Sequence, residues 1–116
     1  MSQGQRVVQE QRGLRVHFDA AAEVLLESKH ERIPARVTEL SFRGCYLETS
    51  VSLKEHQRVR VKIFHGDQFF ESLAEVIYLR PEGVGVMFGN MEAHFRNVLQ
   101  GWILQALDNQ TEAEGS

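Results

Sequence analysis

Hydrophobic and polar positions alternate with a period of two through most of the chain. Val16, Phe18 and Ala20 alternate with His17 and Asp19, and 24–26 either continues that strand or begins the next. Ile33, Ala35 and Val37 alternate with Pro34, Arg36 and Thr38, and a short apolar run at 45–47 follows Gly44. Val59, Val61 and Ile63 alternate with Arg58, Arg60 and Lys62, the most regular run of all. Residues 69–79 are rich in β-branched and aromatic side chains, and Val84, Val86 and Phe88 make a last strand. Period two marks strands with one buried face. Polar turns separate them at 29–31, at His65-Gly66-Asp67-Gln68 and at Pro81-Glu82-Gly83.

After Gly89 the period changes. Met91, Phe95, Val98, Leu99, Trp102 and Ala106 recur at spacings of three and four, the apolar stripe of a helix. Asn90 is the expected N-cap, and Trp102 belongs to the core. Gly101 weakens that helix by about 1 kcal/mol relative to Ala, which suggests close approach to a sheet. Turns recur every 8–12 residues or so with no intervening helix. The prediction is all-β with one C-terminal helix: six or seven strands in a small antiparallel barrel, the helix closing one mouth.

The ends lack this patterning. Residues 1–13 are expected to be a flexible N-terminal arm, 14–108 the barrel with its helix, and 109–116 a disordered acidic tail. At 116 residues the chain holds one domain. Its 42% hydrophobic and 25% charged residues suit a soluble fold. No apolar run approaches the roughly 20 residues that span a bilayer. The polar N-terminus shows no signal peptide. These features predict a cytoplasmic protein with no membrane insertion. The net charge of −3 argues against bulk nucleic-acid binding. A small anionic ligand answers to local charge instead.

Enzyme chemistry finds no support. His17, His30, His56, His65 and His94 have no i, i+4 metal pair among them, and CxxC and HExxH are absent. The single cysteine, Cys45, excludes an internal disulfide and reads as a small core thiol. Gly83-Val84-Gly85 sits within a strand and reads as tight packing. The expectation is no enzyme, no metal and no cofactor.

Two short segments carry a signal. In Gln11-Arg12-Gly13-Leu14-Arg15, two guanidinium groups flank a permissive glycine. Arginine presents a planar fork of donors that fits phosphate or a guanine edge, and it stacks on bases. In Glu39-Leu40-Ser41-Phe42-Arg43-Gly44, a carboxylate can accept two N–H donors from a guanine. A hydroxyl adds a donor or acceptor, and Gly44 permits a positive φ or a close backbone approach.

In this order the two segments resemble the motifs of the PilZ family, receptors for cyclic di-GMP. That family pairs RxxxR, on an arm before the first strand, with (D/N)xSxxG on a later strand. Arg15 matches the second arginine, and Ser41 and Gly44 match the second motif. The resemblance covers about residues 11–107 and implies a six-stranded antiparallel barrel. It implies a bacterial receptor that converts cyclic di-GMP binding into altered contact with an unidentified downstream protein, as in motility or biofilm control. Arg12 and Arg15 would clamp phosphates and stack on guanine. Glu39 and Ser41 would read a guanine edge, and Gly44 would let the base approach. From sequence proximity, Arg43 and Arg36 are expected on the same face. Two positions depart from the pattern. Gln11 replaces the first arginine; unless Arg12 supplies that charge, roughly 1.5–3 kcal/mol is lost, about one to two decades in affinity. Glu39 replaces Asp or Asn and carries its oxygens about 1.5 Å further out. The alternative is an interaction module that no longer binds the nucleotide and works through the Arg58, Arg60, Lys62 face or the helix near Trp102.

Overall fold

A computed structural model describes residues 14–115. The strands are β1 (Val16–Leu26), β2 (Glu31–Leu40), β3 (Gly44–Glu48), β4 (Arg58–His65), β5 (Gln68–Arg80) and β6 (Gly83–Phe88). One 3-10 turn, Glu27–Lys29, joins β1 to β2, and helix α1 (Ala93–Gly115) follows β6. The strands close into an antiparallel barrel in the order β1-β2-β3-β6-β5-β4. Two three-stranded meanders are thus joined edge to edge, and closure leaves no exposed strand edge.

Alternation dictates which residues fill the barrel. Along β1, Val16, Phe18, Ala20, Ala22, Val24 and Leu26 are buried and their neighbours are more exposed. The expected second strand at 24–26 is the continuation of β1. Val59, Val61 and Ile63 of β4 enter the same core, with Arg58, Arg60 and Lys62 outside. α1 packs on β5 and β1. Its Val98, Leu99, Trp102, Ile103 and Ala106 are buried at helical spacing, so the helix closes the mouth as the pattern predicted. Trp102 stacks on Phe18 at 5.3 Å and donates its ring N–H to Gln68 Oε1 at 3.1 Å.

Four local expectations change. Asn90 is not the helix cap: the Gly89 amide still bonds the Leu73 carbonyl at 2.7 Å, which holds the chain on the barrel. The first turn forms only where the Arg96 amide reaches the Glu92 carbonyl at 3.0 Å. Gly101 is exposed and a Cβ there would meet open space, so it mediates no close approach to the sheet. The helix also runs on to Gly115 across the stretch expected to be a disordered tail. Polarity suggested disorder there, but Glu112, Ala113 and Glu114 have good helix propensity and Gly115 is a common stop. Finally, His65 is no mere turn residue. It lies half-buried, with its ring 4.6 Å from Phe18 and 5.5 Å from Trp102.

Candidate functional site

The β2–β3 connection is a tight turn made by its own side chain. The Ser41 amide donates to the Gly44 carbonyl at 2.9 Å. The Ser41 hydroxyl accepts from the Gly44 amide at 3.1 Å and the Arg43 amide at 3.2 Å, and donates to the Gly44 carbonyl at 3.2 Å. A hydroxyl has one donor and two lone pairs, so all three are engaged within the turn. Ser41 therefore shapes the site rather than offering a free group to it. Gly44 has no positive φ, so of its two expected uses the close approach is the real one. A Cβ there would lie 2.0 Å from the Val86 carbonyl oxygen, where β3 pairs with β6.

Beside this turn lies a shallow cleft of about 340 Å³ on the barrel's outer surface, across β2, β3, β6 and β5. Its polar wall carries Arg15, Glu39, Ser41 and Arg43; its other wall carries Tyr46, Ile77, Tyr78 and Met87. Arg15 Nη1 faces Glu39 Oε1 at 3.9 Å, a pair left largely open to solvent. Two guanidinium groups against one carboxylate make the cleft locally positive in a chain of net charge −3. That is the electrostatic condition for an anion.

Register explains the opposite wall. Glu39 pairs with Tyr46, Tyr46 with Gly85, and Gly85 with Tyr78, so four residues form one rung around the barrel. Gly85 leaves room for a ring: a Cβ there would sit 2.1 Å from Tyr78 Cε2. The Tyr46 and Tyr78 rings lie nearly parallel, 17° apart with centroids at 6.3 Å. The Tyr46 hydroxyl donates to Glu82 Oε1 at 3.2 Å. Burial first, and this hydrogen bond second, push its phenol pKa up. Arg80 lies over both rings, 5.5 Å from Tyr46 and 5.0 Å from Tyr78.

Of the residues singled out in the sequence, Arg15, Glu39, Ser41, Arg43 and Gly44 line this one cleft. Gln11 and Arg12 lie outside the described residues. Arg36 does not join them. It hydrogen-bonds and ion-pairs with Asp19, whose carboxyl the contact holds below its usual pKa. The aromatic wall is not evident in the sequence, because it depends on the register that sets Gly85 between Tyr46 and Tyr78. Cys45 is buried, and desolvation pushes its thiol pKa well up, so it offers no nucleophile. Among the described residues no cluster of ligating side chains could hold a metal, and no helix is long and apolar enough to cross a membrane.

Comparison with known proteins bears directly on this arrangement. The PilZ domain family model matches residues 6–105. A solved PilZ domain with c-di-GMP, from YcgR of Escherichia coli, superposes with a TM-score of 0.72 at 16% identity, covering 89% of this chain and 95% of that one. YcgR in complex with c-di-GMP gives 0.70 at 18% identity, over 88% of this chain and 47% of that one. The Bacillus subtilis inhibitor of motility MotI gives 0.65 at 17% identity, over 81% and 49%. These likenesses concern the fold. Comparison with curated protein sequences returns no match. With its six-stranded barrel, closing helix and match over most of its length, the chain belongs to the PilZ domain family.

Proposed function

We propose that this protein is a cytoplasmic, non-enzymatic receptor for cyclic di-GMP that passes the signal to a separate protein. One observation carries this: Arg15, Glu39, Ser41, Arg43 and Gly44, from two separated sequence motifs, line a single locally positive cleft. The YcgR domains that share the fold are described with c-di-GMP, which supports the same ligand. Arg15 and Arg43 bind phosphate by charge-assisted hydrogen bonds. Arg12 joins them from the adjoining segment. Glu39 accepts the N–H donors of a guanine edge, Ser41 and Gly44 hold the turn that presents it, and Gln11 adds an uncharged hydrogen bond. On binding, Arg15 exchanges its 3.9 Å carboxylate partner for phosphate and frees Glu39 for the base. Ligand capture at Arg15, which directly precedes β1, then alters the surface offered to the partner. No cofactor is required.

The experiment is calorimetric titration of the full chain with cyclic di-GMP, with GTP as control. Micromolar or tighter binding of cyclic di-GMP alone is expected, with loss in a folded Arg15→Ala variant. Equal binding by wild type and Arg15→Ala would refute the assignment. The departures at Gln11 and Glu39 favour a second reading, an interaction module without nucleotide. Its surface would be the outer face of β4, where Arg58 is exposed and Lys62 lies 4.5 Å over the Phe69 ring. On the helix Trp102 itself is buried, and the exposed residue beside it is Leu104. Absence of heat from a folded protein at about millimolar nucleotide selects this reading.

A further inference from the structure

We infer that Tyr78 and Arg80, braced by Tyr46, form a second recognition wall. Tyr78 stacks on a purine base, and Arg80 supplies the guanidinium that Gln11 lacks. This deepens the receptor function proposed above and rests on it. The wall is built before any ligand arrives. Gly85 lets the Tyr78 ring lie against the barrel, and any side chain at that position would lift it. Tyr46 continues the surface at 17°, and its hydroxyl is tied to Glu82. Both rings belong to the rung that starts at Glu39. Tyr46 is itself buried, so a flat base would lie on the partly exposed Tyr78 ring, on the rung that carries the carboxylate. Base–aromatic stacking needs only a π-face and gains from a nearby arginine.

Arg80 lies two residues beyond Tyr78 on β5 and is exposed. It makes no salt bridge among the described residues, whereas Arg32, Arg36 and Arg60 are all paired. Its guanidinium rests over both tyrosine rings. From there it can turn to a phosphate attached to a stacked nucleoside. The sequence motif that ends at Arg15 has Gln11 where the family pattern has an arginine, and the aromatic wall offers a guanidinium in return.

The test is calorimetric titration of full-length variants with cyclic di-GMP, each shown to keep the wild-type thermal midpoint. Arg80→Gln should weaken binding about tenfold to a hundredfold, the range for one charge-assisted contact. Gln11→Arg should restore most of that loss in Arg80→Gln yet add little to wild type, where Arg80 already supplies the charge; an equal gain in both backgrounds would overturn that role for Arg80. Tyr78→Leu should weaken binding about tenfold and Tyr78→Phe hardly at all. Wild-type affinity in both Arg80→Gln and Tyr78→Leu, with Arg15→Ala inactive, overturns the second wall and leaves the receptor standing. If wild type itself fails to bind, the receptor function falls. The wall is then read with 5′-GMP by NMR: upfield shifts of Tyr78 ring protons support it, and unmoved Tyr78 resonances overturn it.

Discussion

Gly44 and Gly85 look alike in sequence and do different work. At Gly44 the obstacle to a side chain is the backbone of β6, with the Val86 carbonyl oxygen 2.0 Å from where a Cβ would lie. Gly44→Ala must push two paired strands apart and should cost about 1–3 kcal/mol of stability in urea denaturation. At Gly85 the obstacle is the Tyr78 ring, a side chain that can swing away. Gly85→Ala should leave stability nearer wild type but displace Tyr78, and nucleotide affinity should fall more than stability does. Cys45 makes a third residue-scale case. Burial keeps its thiol protonated, so iodoacetamide should leave the native protein unmodified at pH 8 and label it in denaturant. The folded state holds that proton where the unfolded thiol, with a pKa of about 8.5, releases it. Stability should therefore decline as pH rises above about 8.5, and a Cys45→Ala variant should lose that part of the decline.

At the scale of elements, period and turn chemistry made the six strands and the helix legible, because each strand buries only one face. Boundaries were less legible. The helix start depends on a backbone bond from Gly89 to Leu73, a tertiary contact that no local signal encodes. Its extension to Gly115 follows propensity where polarity had suggested disorder. The polar half of the site could be read from spacing, since Arg15, Glu39, Ser41 and Gly44 sit in recognisable short motifs. The aromatic half could not, because it needs the register that places Glu39, Tyr46, Gly85 and Tyr78 on one rung. Arg36 shows the converse limit: near Glu39 in sequence, it is held by Asp19 on β1. The helix depends heavily on Trp102, which packs on Phe18 and His65 at the barrel mouth. Trp102→Ala should cost about 3–5 kcal/mol, seen as a lower midpoint in thermal or urea unfolding, while Trp102→Phe should cost less.

For the whole molecule, the barrel separates its two tasks. The core and the helix-covered mouth provide stability, while the cleft lies on the outer surface of β2, β3, β6 and β5. Substitutions in the cleft can therefore change binding without unfolding the protein. Arg15 ends one residue before β1, whose Phe18 touches Trp102 of α1. A ligand captured at Arg15 would thus sit on the chain segment that leads to the helix contact. The most direct measurement is a backbone-amide NMR titration of the full chain with cyclic di-GMP. It should show saturable shifts centred on Arg15, Glu39, Ser41, Gly44 and Tyr46, with the outer face of β4 undisturbed. A folded spectrum that does not change, or shifts confined to 58–64, would contradict a nucleotide site in this cleft.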